Sequence, residues 1–218
     1  GAARGATLFV RGRTLNELSL PDSLAGVIGS DRSVHDVIGR ARVYLPLTGP
    51  GYASHVLALQ GSFGVARGPN ADASHYEVGG ASGSSETATG LDLFGGGPIF
   101  FPVRGYDTFA RFGRFAWSAS AEYRVPLALV NRGVGAWPLH FDRVFASVFV
   151  DAGNAWGPTV SPGGFGNRLR SALASVGAEV TAEVLTFYKV SMRFRTGVAL
   201  PLVEGDGGRL YVRLGVPF

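Results

Sequence analysis

The C-terminal stretch RLYVRLGVPF alternates apolar and polar residues, and this feature constrains the fold most. Leu210, Val212, Leu214, Val216 and Phe218 fall on one face, and Arg209, Tyr211, Arg213 and Gly215 on the other. Neighbouring side chains of a strand point to opposite faces, so a period of two predicts a half-buried strand rather than a helix. The pattern recurs in YKVSMRFRTGVAL, where Tyr188, Val190, Met192, Phe194 and Val198 oppose Lys189, Ser191, Arg193, Arg195 and Gly197. It recurs again in SVGAEVTAEV, VFASVFVDAG and RFAWSASAEYRVPL. Weaker alternation marks residues 6–14, 35–47 and 53–66.

About eight strands result, most of them near or above the roughly 9–11 residues that a tilted strand needs to cross a bilayer. Their connections differ in length. Residues 15–34, 67–112 and 155–170 form long loops, 48–52 and 185–187 short links, and 128–139 an intermediate one. The hairpin through Glu204–Gly208 belongs with the long set on topology. Short turns at one end and long loops at the other are the arrangement of an outer-membrane barrel.

A soluble β-sandwich or lipocalin-like barrel also alternates. The chemistry of the faces separates the readings. The polar face carries Arg40, Arg42, Glu122, Arg124, Asp151, Glu179, Glu183, Arg193, Arg195, Arg209 and Arg213 among small residues. The apolar face carries no charge over five strands and has aromatics near strand ends, namely Phe115, Tyr123, Tyr188 and Phe218. A soluble sandwich would show more Lys on its solvent face; this chain has one, Lys189. Charged residues are only 17% of the chain, and glycine is high at 33 residues. No run of about 18 apolar residues is present, so no transmembrane helix is expected. The start, Gly1-Ala2-Ala3-Arg4, has no apolar signal region, so the chain is expected to be mature or a fragment. The expected fold is all-β: an antiparallel transmembrane β-barrel of about eight strands, closed and small or half of a larger one, with residues 1–218 as one domain.

A resemblance then enters on three motifs. VRGY (Val103, Arg104, Gly105, Tyr106) lies in the long loop 67–112; AEYRVPL follows at 121–127, and FVDAG at 149–153. In order and topology these resemble the C-terminal half of the outer-membrane assembly and secretion barrels, the BamA, TamA and FhaC-like superfamily or bacterial surface-antigen family. The resemblance covers roughly residues 35–218. It implies a loop folded back into the lumen, its arginine paired with the acid of an F-x-D-x-G motif, here Phe149, Asp151 and Gly153. It also implies that the last strand, with Tyr211, Leu214, Val216 and Phe218, is the signal read by barrel-insertion machinery. Family members usually have sixteen strands and N-terminal POTRA modules; about eight strands and no POTRA module are visible here. A Gly-Gly pair normally sits just before the family's loop motif, whereas here Ser- and Gly-rich sequence separates Gly79-Gly80 from it.

The residues themselves leave Arg104 two fates. A guanidinium cannot be deprotonated in a protein. Inside a narrow barrel it needs a carboxylate, and the period places Asp151, Glu122 and Glu179 on the inward face. Otherwise it is a solvated loop arginine. The inward Arg193, Arg195, Arg209 and Arg213 either bind anions or form an ion-paired network with Glu122, Glu179, Glu183 and Asp151. Catalytic signals are poor. His35, His55, His75 and His140 lack metal-ligand spacing, GGGP at Gly95–Pro98 lacks a following Lys-Ser/Thr, and no nucleophile motif is present. No enzyme activity, cofactor or metal is expected, nor nucleic-acid binding, because basic and acidic residues share one face. By resemblance the function is insertion or translocation of proteins at the bacterial outer membrane. The expected partners are outer-membrane lipid, client outer-membrane or secreted proteins, and other chains of a larger assembly. The alternative is a structural barrel that anchors a larger assembly or a soluble domain without translocating anything.

Overall fold

A computed structural model describes residues 4–15, 34–68, 76–80, 99–107, 109–135, 137–157, 171–187, 189–205 and 207–215. Eleven strands are present among them: β1 (Gly5–Leu15), β2 (Val34–Leu47), β3 (His55–Arg67), β4 (Tyr76–Val78), β5 (Ile99–Phe101), β6 (Arg111–Gly113), β7 (Phe115–Gly133), β8 (Leu139–Trp156), β9 (Leu173–Thr186), β10 (Val190–Pro201) and β11 (Arg209–Gly215). Eight of them form one sheet in the order β1-β2-β3-β7-β8-β9-β10-β11, with every neighbouring pair antiparallel. Among the described residues, β1 pairs only with β2 and β11 only with β10, so both remain edges.

The alternation puts side chains where the period places them. Leu59, Val148, Val150, Val180, Val198, Leu210 and Val212 are exposed on one face. Ser62, Ser118, Glu122, Ser147, Asp151, Ser175, Glu179 and Thr181 are buried on the other. A single sheet buries polar groups only when something covers them, and over Glu122, Asp151 and Glu179 the cover is the loop between β3 and β7. Its strands form a second sheet in the order β5-β4-β6, with β4–β5 parallel and β4–β6 antiparallel. Three short strands therefore stand inside what the sequence reads as one loop. They are too short for period-two alternation to register.

The core lies between this small sheet and the long-loop end of the large sheet's polar face. Tyr76, Val78, Phe101, Val103 and Tyr106 from the loop pack on Ile38, Ala66, Ala116, Ala155 and Leu173. Glycines in the large sheet make the room. A Cβ at Gly64 would lie 2.9 Å from the rings of Phe101 and Tyr76, and one at Gly153 would lie 2.8 Å from Val103.

The stretch 128–139 differs from its reading as an intermediate link. β7 runs on to Gly133 and β8 begins at Leu139. Pro126 and Asn131 blur the alternation in sequence, and the pairing absorbs them as irregularities between Pro126/Ala128 and Leu129/Arg132, with Asn131 at φ 40°. The connection shrinks to 134–138. The connections at 48–54, 134–138 and 187–189 then share one end of the sheet, and the β1–β2, β3–β7, β8–β9 and β10–β11 connections share the other.

Candidate functional site: an arginine hub on the polar face

Arg104 is carried by a tight turn at the centre of the loop. Gly105 has φ +92°, a conformation that favours glycine, and a Cβ there would meet Ala199 at 3.2 Å. The turn therefore presses directly on β10. On one side Val103 bridges to Gly80, and the Gly79 and Gly80 amides donate to the Phe101 and Tyr106 carbonyls at 3.1 Å each. The fold thus brings Gly79-Gly80 back against the motif from which the Ser- and Gly-rich insertion separates it in sequence. On the other side the Tyr106 hydroxyl lies 2.7 Å from the Ala174 carbonyl and 2.5 Å from the Val203 carbonyl. It also accepts from the Ala174 and Val203 amides at 3.3 Å each. One side chain so ties the loop to β9 and to the β10–β11 connection.

The guanidinium faces Asp151 side-on. Arg104 Nε donates to Asp151 Oδ2 at 2.6 Å and Nη2 to Oδ1 at 2.8 Å, while the backbone amide of Arg104 adds a 3.2 Å bond to Oδ2. A bidentate pair of this kind is the strongest geometry for a guanidinium and a carboxylate. Ser120 completes it, donating to Asp151 Oδ1 at 2.7 Å and accepting from Arg104 Nη2 at 3.1 Å. The Phe149 ring lies under the cation, with its centroid 3.3 Å from Arg104 Cζ. That ring covers Gly177 on the next strand, where a Cβ would come within 2.4 Å of it.

Two further carboxylates stand at longer range. Arg104 Nη1 is 3.6 Å from Glu122 Oε2 and 3.8 Å from Glu179 Oε2. Each has a second cation: Arg124 Nε donates to Glu122 at 2.8 Å, and Arg195 Nε lies 3.8 Å from Glu179. Three carboxylates so meet three guanidiniums, with Arg104 at the centre. The Tyr211 hydroxyl donates to Glu179 Oε2 at 3.0 Å, and the Thr181 hydroxyl to Oε1 at 3.3 Å. Arg104 is 5% exposed and Asp151 2%. Burial alone would lower the arginine's pKa, but the bond and charge of Asp151, followed by the charge of Glu122, raise it above its ordinary value. The hub arginine is charged at any pH the fold survives.

A sequence profile of the Omp85 superfamily domain matches residues 11–218. The chain belongs to the Omp85 superfamily. No curated protein matches it individually. The Omp85 domain is an outer-membrane β-barrel, so the apolar face of the large sheet is the lipid side and the polar face lines the lumen. Omp85 members as a class insert or translocate proteins in the outer membrane and are transport and assembly factors rather than enzymes.

The structure brings together Val103, Arg104, Gly105 and Tyr106 with Phe149, Asp151, Gly153, Glu122 and Glu179. Tyr211 points to the lumen and joins the hub. The backbone of Leu214 pairs with Phe194. Val216 and Phe218 lie outside the described residues, as does His75. His35, His55 and His140 bond to Thr14, to Tyr123 and the Pro50 carbonyl, and to Asn131 respectively. Ser120, Arg124 and Arg195 also belong to the hub, beyond the loop motif and the acids it points to. The period had placed all three on the charged face beside the named acids, and that was the available signal.

Proposed function

We propose that this chain is one barrel domain of the bacterial outer membrane that inserts or translocates proteins, with the Arg104 loop as a lumenal latch. The observation that carries this reading is the bidentate Arg104–Asp151 pair, made between a loop and the strand of the F-x-D-x-G motif. A buried pair leaves an uncompensated charge when one member is removed. The loop is therefore held in one place as long as the pair stands. The edges at β1 and β11 give client strands a place for backbone pairing, and no covalent chemistry is involved. Outer-membrane lipid is the partner of the apolar face, and client proteins that of the lumen and edges.

The alternative is a structural barrel that anchors a larger assembly or a soluble domain. The packed small sheet favours it, since an anchor needs a filled lumen. Reconstitution decides between the two. The chain in phosphatidylcholine vesicles should speed the insertion of a small unfolded outer-membrane barrel, and Asp151→Ala should change that rate. If wild-type vesicles insert the client no faster than empty ones, the anchor reading stands.

A further inference from the structure

Next to the hub, with which it shares Arg124, a cavity of about 370 Å3 lies at the short-turn end of the polar face. Its walls include Arg124, Arg143, Arg193 and Glu183, with Val56 and Phe145 as apolar surface. Arg143, Glu183 and Arg193 form one cross-strand row over β8, β9 and β10, so two cations flank a single carboxylate.

The guanidiniums are only partly used. Arg193 Nη2 donates to Glu183 at 2.7 Å, while its Nε is buried and bonds to nothing among the described residues. Arg143 turns Nε to Asp142 at 2.8 Å and lies 3.3 Å from Glu183. Arg124 turns Nε to Glu122 at 2.8 Å. Among the described residues the Nη ends of Arg124 and Arg143 hydrogen-bond to no carboxylate. A guanidinium carries five donors in a planar fork suited to carboxylate and phosphate. Three forks, one lining carboxylate and an apolar wall make a site for an anion on a small apolar body.

We propose that this cavity binds a phosphate or carboxylate group borne on a compact apolar moiety, supplied either by a lipid headgroup region or by a soluble solute. Glu183 occupies part of the site and competes with the ligand. Arg124 is shared with the hub, but Arg104 and Asp151 play no part in this proposal.

The test is calorimetric titration of the full chain in phosphatidylcholine nanodiscs with hexyl phosphate, hexanoate and inorganic phosphate. Hexyl phosphate and hexanoate should bind saturably, and hexyl phosphate more tightly than inorganic phosphate. Arg193→Gln and Arg143→Gln should each weaken binding by about tenfold, the worth of one charge-assisted bond. Glu183→Gln should tighten it, which a purely structural ion pair would not do. Discs doped with phosphatidylglycerol separate the sources: blocked binding identifies a lipid ligand, and unchanged binding a soluble one. The proposal fails if no ligand saturates, if both arginine variants bind like wild type, or if Glu183→Gln binds more weakly.

Discussion

The two ends of the lumenal face are built on opposite principles. At the long-loop end the face is apolar, floored by Ile38, Ala66, Ala116 and Ala155, and the small sheet covers it. Just beneath, one loop arginine answers three strand carboxylates. At the short-turn end no loop strand intrudes among the described residues, and Arg143 and Arg193 flank one glutamate in a cavity that the hub's Arg124 also lines. The contrast teaches that where the loop reaches, its own cation answers the strand carboxylates, and where it does not, the strands supply both partners, as in the Arg143–Glu183–Arg193 row. The loop is thus a structural counter-ion for one half of the barrel wall.

The largest expected effect comes from removing the counter-ion's partner. Asp151→Ala leaves Arg104 buried against Glu122 and Glu179 at longer range. It should cost about 3–5 kcal/mol, read as a lowered urea midpoint in micelles. A midpoint equal to wild type would erase the distinction between the two ends. Gly153→Leu comes next. Its side chain would enter space held by Val103 and Val78, so overpacking should cost about 1–3 kcal/mol and displace the small sheet. The same substitution at Gly133, whose Cβ position has only a backbone oxygen at 3.7 Å, should cost far less.

Tyr106→Phe removes a hydroxyl shared by Ala174 and Val203 and should cost about 1–2 kcal/mol, with the Ala174 carbonyl keeping the Leu202 amide as a donor. Hydrogen exchange at Val203 should rise with it. Alkaline pH sharpens the same end differently. Tyr76 in the small sheet has its pKa pushed up to about 12 from 10.0, first by burial and then by the Asp36 carboxylate. A raised folded-state value stabilises below the unfolded one and is lost as pH climbs through the folded one. The small sheet should therefore loosen between pH 10 and about 12, and Tyr76→Phe should remove that transition. The smallest effect belongs to the exposed Asp107–Arg209 pair. Asp107→Asn should leave the unfolding midpoint unchanged, as exposed pairs are screened by solvent and salt.

Much of this was legible in the residues. Period-two alternation gave the eight large strands and their faces, because each strand has lipid on one side and a polar interior on the other. It therefore placed Asp151, Glu122 and Glu179 inward. It could not show that Arg104 reaches all three, since that depends on where a loop of more than forty residues folds. The family resemblance supplied the Asp151 pairing. The small sheet escaped notice because strands of three residues carry no period. The full length of β7 is not legible because its pairing with β8 is irregular at Pro126/Ala128 and Leu129/Arg132, where the period breaks. Edge status at β1 and β11 was not legible either, since closure depends on strands far apart in the chain.

The most direct measurement is tryptic cleavage after Arg104 in the membrane-embedded protein, wild type against Asp151→Ala. Arg104 is 5% exposed and held on three sides, so the account predicts protection in the wild type. In the variant, cleavage at that bond should become rapid while cleavage at the partly exposed Arg111 changes little. Equal protection of the Arg104 bond in both proteins would contradict the latch.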